Sequence, residues 1–235
     1  MIIPNDRKLV IIGDSITDYE RARPIGEGPH EGIGKSYVAL VDAFLRVVYP
    51  ESRIRMVNMG TSGDTVRDLK KRWSTDVLDL NPDWVAILVG ANDVWRQFDS
   101  PLMKEDHVLI DEYRECYEQL IRFTKKSVEG LILMAPFYME LNAEEPMRKT
   151  MNSYSQVVRE LSIKHNCVFV DLPAAFDAFF QYYSPQVIAW DRMHPNTIGH
   201  MIIARAFVNA IGFEWNGLDV AQEPAPHIKP SIIGG

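Results

Sequence analysis

Five short runs of β-branched and aliphatic residues, at 8–12 (KLVII), 53–58 (RIRMVN), 84–89 (WVAILV), 131–137 (LILMAPF) and 167–172 (CVFVDL), alternate with longer stretches of helical periodicity. This alternation constrains the fold more than any other feature. Strands separated by helices make crossover connections, so they lie parallel and both faces of their sheet are covered. Between the first two runs, Tyr37, Val38, Leu40, Val41, Phe44, Leu45 and Val48 follow the three-and-four spacing of an amphipathic helix over 36–48. Similar spacing predicts helices over 65–79, 111–128 and 147–165, a short one over 173–183, and a last one over 197–211 with Asn196 as N-cap and Gly212 as terminator. The expected architecture is a three-layer α/β/α sandwich around a five-stranded, doubly wound parallel sheet. No repeat or linker divides the chain, so residues 1–217 read as one domain. Residues 218–235, with three prolines and two terminal glycines, read as a tail without regular structure.

Charge narrows the function. A formal net charge of -7 leaves no basic footprint for a phosphate backbone, so nucleic acid is not an expected partner. No stretch approaches the roughly twenty apolar residues that cross a bilayer, and the N-terminal run Leu9 to Ile12 is too short for a signal-peptide core. Cys116 and Cys167 alone make no disulfide framework. The chain is therefore expected to be soluble and cytoplasmic, with no membrane contact.

In open α/β sheets, ligands bind outside the carboxyl ends of the strands, which directs attention to the residues after each run. The first run leads into GDSIT (13–17), the second into MGTSGDT (59–65) and the third into GAND (90–93). A parallel sheet brings these small or glycine-bearing turns to one edge. From the far end of the chain comes AWDRMHPN, in which Asp191 and His194 stand three positions apart. Ser15 occupies a tight strand-to-helix turn that presents its hydroxyl as a nucleophile elbow does, though without G-x-S-x-G. A serine hydroxyl needs a base to take its proton; His194 is the candidate base and Asp191 the candidate to orient it. The backbone N–H groups of Ser15 and Gly63 and the side-chain amide of Asn92 are candidate donors to an oxyanion.

At these residues the chain resembles the SGNH, or GDSL, hydrolase family, whose signature residues are serine, glycine, asparagine and histidine. The resemblance spans residues 7–213 and rests on the order and separation of four motifs; the one departure is GDSI in place of GDSL. It implies a flavodoxin-like sheet, Ser15 as nucleophile, an oxyanion hole of Ser15, Gly63 and Asn92, and a triad completed by Asp191 and His194. The runs IIGDSITD, RARP, GTSGDTVRDLK, NDVWRQFD, PMRKTM and AWDRMHP are similar to those of the intracellular acetylxylan esterases of that family. That likeness implies removal of acetyl groups from xylo-oligosaccharides through an acyl-enzyme, with no cofactor and no metal. It also implies a homo-oligomer, octameric among those relatives.

Other readings stand beside these. A broad short-chain carboxylesterase, thioesterase or lysophospholipase would use the same residues, and a non-catalytic carbohydrate-binding protein would keep the fold without the chemistry. A metal site lacks support, because His30, His107, His165, His200 and His227 show no H-E-x-x-H spacing. GDSITD is not G-x-G-x-x-G, so a dinucleotide site lacks support too. Trp190, Trp95 and Arg21 are candidates to line a substrate cleft. Trp73, Trp84 and Trp215 read as packing residues, the charged series from Arg67 to Arg72 as a solvated helix face, and Asp14 as a loop-shaping acceptor.

Overall fold

Strands β1 (Lys8–Gly13), β2 (Arg55–Gly60), β3 (Trp84–Leu88), β4 (Gly130–Met134) and β5 (Val168–Val170) form one sheet in the order β2-β1-β3-β4-β5, with every neighbouring pair parallel. The computed structural model describes residues 1–28 and 30–215, and the tail expected over 218–235 lies outside the described residues. Leu9 to Ile12 in β1 and Val85 to Leu88 in β3 have no exposure, which is why these central strands read as unbroken apolar runs. Residue Gly13 pairs with Gly60 on one side and with Leu88 on the other, so β1, β2 and β3 end nearly level. In this order the direction of winding reverses between β1 and β3, the place where open α/β sheets bind their ligands.

Eight helices cover the sheet among the described residues: α1 (Ser15–Asp18), α2 (Tyr37–Val48), α3 (Val66–Asp76), α4 (Ala91–Asp99), α5 (Ile110–Thr124), α6 (Pro146–Lys164), α7 (Leu172–Phe180) and α8 (Thr197–Ala210). Helix α8 packs against α2 and α7, while α5 packs against α3 and α6, which gives the two outer layers. Polar bonds tie helix to helix and helix to sheet where apolar contact would not fix orientation. The indole of Trp73 on α3 donates to Thr124 Oγ1 on α5 at 3.0 Å, and the Tyr113 hydroxyl donates to the Val89 carbonyl at the end of β3 at 2.8 Å.

The elements differ from the sequence reading mainly at their ends. Strand β2 begins at Arg55 rather than residue 53, because Arg53 takes a left-handed φ of 46° to close the 3₁₀ turn Pro50–Ser52. Strand β5 is only three residues long, since the Asp171 side chain already caps α7 by accepting from Ala174 N–H. Helix α3 stops at Asp76, and Leu78–Leu80 form a separate 3₁₀ turn. Helix α4 was not expected at all: GAND read as a turn, and the segment's Asn92, Asp93, Arg96, Gln97 and Asp99 dilute its apolar stripe.

Gly90 starts α4 with a φ of 135°, a conformation that side chains oppose, and an ideal Cβ there would lie 2.8 Å from Pro136 Cγ and 2.9 Å from the Tyr113 hydroxyl. Backbone strain and overlap add at this position. Gly90→Ala should therefore destabilise the protein by about 2 kcal/mol or more. A lowered urea midpoint is the expected result, and an unchanged midpoint would show that the turn relaxes freely.

Candidate active site

Ser15 is the first residue of α1, directly beyond β1, where the Asp14 side chain caps the helix by accepting from Ile16 N–H at 3.0 Å. Its Oγ lies 2.9 Å from His194 Nε2, although 179 positions separate the two residues. His194 Nδ1 lies 2.7 Å from Asp191 Oδ2. An aspartate there accepts the Nδ1 proton and leaves Nε2 as an acceptor for the serine hydroxyl. Asp191 also builds the loop that carries it: Oδ1 accepts from the backbone N–H of Met193 at 2.9 Å and of His194 at 2.8 Å. Burial raises its carboxyl, but the hydrogen bonds from His194 and Met193 outweigh that and hold it below the usual carboxylate range.

That loop is anchored on both sides. Met139 N–H donates to the Arg192 carbonyl, Arg192 pairs with Glu140, and Asn196 donates to the carbonyls of Ile188 and Val187 while capping α8 through Ile198 and Gly199. The expected N-cap at Asn196 is therefore present.

Opposite Ser15 stands the turn after β2. Gly63 has a φ of 87°, the left-handed region, and neither its N–H nor that of Ser15 donates to an acceptor among the described residues. Asn92, 5 % exposed in the first turn of α4, donates one amide hydrogen to the Asp64 carbonyl at 3.0 Å, which leaves the second available. Ser15, Gly63 and Asn92 thus follow β1, β2 and β3, the three strands that end level.

The residues expected to line a cleft divide. The Trp95 ring, half-buried, has its centroid 5.5 Å from that of His194. Trp190 is 87 % exposed, its side chain turned to solvent. Arg21 does not line a cleft: it is 6 % exposed, and its guanidinium donates to the carbonyls of Gly60, Ala22 and Pro24. Burial pushes its pKa down to about 10. The charged face of α3 is likewise only partly solvated, since Arg67 pairs with Glu112 and Arg72 turns inward to the strand ends. His200 is buried, accepts from Tyr37 N–H through Nδ1, and is pushed down by burial to about 4, so it is neutral.

Sequence reasoning missed Asp18, Arg72 and Asp93, all of which touch the Gly63 turn or the helix after it. Asp18 accepts from Ser62, and Asp93 Oδ1 accepts from Val66 N–H at 3.0 Å. The only sequence signals were Arg72 four residues before Asp76 and a carboxylate directly after Asn92. The second oxygens of Asp14 and Asp93 are buried without a partner among the described residues. Burial raises Asp14 to about 7 and Asp93 to about 8.

A serine hydroxyl bonded to an imidazole, the imidazole bonded to a carboxylate, and convergent donors at strand ends together define a serine hydrolase of the flavodoxin-like type. The chain belongs to the GDSL-like lipase/acylhydrolase family, whose sequence pattern matches residues 11–202. It is 54% identical over 215 residues to an acetylxylan esterase of Geobacillus stearothermophilus, covering 92% of this chain and 98% of that protein. The crystal structure of Axe2, an acetylxylan esterase from the same organism, superposes with a TM-score of 0.90 at 53% identity, over 92% of this chain and 98% of Axe2. Axe2 has also been solved as catalytic mutants of its serine, aspartate and histidine (S15A, D191A and H194A). LAE5, an alpha/beta hydrolase enzyme from the metagenome of Lake Arreo, gives a TM-score of 0.88 at 47% identity, over 90% of this chain and 98% of LAE5.

Asp93 generates a pH dependence of stability. An unfolded aspartate ionises near 3.8, whereas folded Asp93 keeps its proton up to about 8. Between these values only the folded chain holds the proton, so the stabilisation is complete below the lower value and is lost as pH rises through the upper one. Asp93→Asn keeps an acceptor for Val66 and cannot ionise. Relative to the parent it should gain stability between pH 5 and pH 8, measured by urea unfolding at both. A difference that stays constant with pH would show that Asp93 is ionised throughout.

Proposed function

We propose that this chain is a serine esterase that removes acetyl groups from acetylated xylo-oligosaccharides, with Ser15 as nucleophile, His194 as general base and acid, and Asp191 orienting His194. The observation that carries this reading is the bonded series Ser15 Oγ, His194, Asp191 at 2.9 and 2.7 Å. Ser15 Oγ attacks the ester carbonyl while His194 Nε2 takes its proton. The resulting imidazolium is stabilised by Asp191, and the tetrahedral oxyanion accepts hydrogen bonds from Ser15 N–H, Gly63 N–H and the Asn92 amide. His194 then gives the proton to the departing sugar oxygen, which leaves acetyl on Ser15. A water activated by the same imidazole releases acetate.

The acetyl and xylo-oligosaccharide assignment draws its support from the 54% identity to the acetylxylan esterase. Trp95, beside His194, supplies a flat face where the sugar would stack. We further propose a cytoplasmic homo-oligomer. Both cysteines are free thiols, which suits a reducing compartment. Trp190 stands out into solvent, and Leu40, Phe44, Val47, Met201, Phe213 and Trp215 line an apolar groove of about 320 Å³, features that favour association.

Ser15→Ala should lower kcat on an acetyl ester by on the order of 10⁴ or more with the fold intact, and Asp191→Asn by on the order of 10⁴. A fluorophosphonate adduct mapped by mass spectrometry should fall on Ser15. Preference for octanoyl over acetyl esters, or no activity on acetylated xylo-oligosaccharides, would overturn the substrate assignment. Light scattering should give a mass well above one chain, and a monomer at micromolar concentration would refute the oligomer.

A further inference from the structure

The Gly63 turn poses a mechanical problem. Its glycine is in the left-handed region, with open space where a Cβ would stand, and its N–H donates to no acceptor among the described residues, so no hydrogen bond of its own fixes the direction of that N–H. An oxyanion donor works only within a few tenths of an ångström of its proper place. The direction must therefore be set by the residues on either side.

Both neighbours are held by largely buried charged side chains. Before Gly63, Ser62 donates both its N–H and its hydroxyl to Asp18 Oδ2, at 3.0 and 2.9 Å. Asp18 lies in α1, the helix that begins with Ser15, and its side chain is 8 % exposed. After Gly63, Asp64 Oδ2 accepts from Arg72 Nε at 2.6 Å, and the Asp64 carbonyl accepts from the Asn92 amide at 3.0 Å. Arg72 also donates to Met59 O at 2.7 Å, Gly13 O at 3.0 Å and Asp76 Oδ2 at 2.8 Å. One planar guanidinium thus joins the end of β1, two residues ahead of Ser15, to the end of β2 and to the residue after Gly63.

We propose that Asp18 and Arg72 are positioning residues for the reaction, clamping Ser62 and Asp64 so that the Gly63 N–H and, through Asp64, the Asn92 amide face the carbonyl oxygen of a substrate on Ser15. The inference rests on the reading of Ser15 as nucleophile. It assigns the clamp to the transition state rather than to substrate binding, because the oxyanion donors bond most strongly when charge has developed. A lysine cannot replace Arg72, since an ammonium offers its donors from a single atom and lacks the planar fork that reaches three chain segments.

The test compares Arg72→Ala, Arg72→Lys, Asp18→Ala and Ser15→Ala with the parent on a soluble acetyl ester. Arg72→Ala and Asp18→Ala should each lose about tenfold to 10²-fold in kcat, with KM within about twofold. Guanidinium chloride at millimolar concentration should raise kcat of Arg72→Ala severalfold, while equal sodium chloride should not. Should Arg72→Ala fail to fold, Arg72→Lys carries the test with the same expected fall. A kcat within about threefold of the parent in Asp18→Ala or in the folded Arg72 variant overturns the clamp. So does a well-folded Arg72→Ala that guanidinium leaves unchanged. Activity that survives in Ser15→Ala sinks the nucleophile reading, whereas an inactive Ser15→Ala beside an undiminished Arg72→Ala sinks the clamp alone.

Discussion

The parallel pairing of β1 between β2 and β3 is the constraint on which the site depends. Each ladder fixes the height of its strands, and the register puts Gly13 level with both Gly60 and Leu88. Ser15, Gly63 and Asn92 follow these three ends closely, so residues far apart in sequence emerge on one rim. The sheet's winding reverses between β1 and β3, the place where folds of this kind bind their ligands. A shift of one residue in either ladder would exchange the side chains packed on the two faces of a fully buried strand, which close packing opposes. Precision at the site is thus inherited from burial of Leu9 to Ile12 and Val85 to Leu88.

The proposed base arrives by a different route. Asp191 and His194 come on a loop rather than a strand, and the loop is rigid because one carboxylate does two tasks: Oδ1 folds the backbone and Oδ2 holds the ring. Orientation of the imidazole is settled during folding, so little ordering is left for the reaction. Asn196 and the packing of α8 on α2 then fix the loop over the sheet edge.

Beneath the rim lies a layer of polar groups, Asp14, Asp18, Arg21 and Asp93 buried and Arg72 largely so. Burying such groups is unfavourable unless partners meet them: Asp14 and Asp93 accept from N–H groups in the first turns of α1 and α3, and Arg21 and Arg72 donate to the strand-end carbonyls of Gly60 and Gly13. The second oxygens of Asp14 and Asp93 have no partner among the described residues, and burial raises both carboxyls, which favours the protonated form.

The sequence alone determined the layers, the five strands, six of the eight helices among the described residues and the four motifs, because these follow from local periodicity, turn-forming glycines and residue types that carry chemistry. It did not determine α4, whose mixed polar surface hides its helical stripe, nor the fate of arginines. Arg21 reads as a cleft residue and Arg72 as a solvated one, yet both guanidiniums turn inward to strand-end carbonyls. An arginine's long stem reaches several ångströms in any direction, so its partners depend on which chain ends lie nearby. Trp95 and Trp190 divided for the same reason, one half-buried against His194 and the other in solvent. What only the tertiary structure decided was how the three strand ends, the Gly63 turn and the Asp191 loop are tied together. Those ties join segments distant in sequence, and their hydrogen bonds exist only once the sheet has set its register.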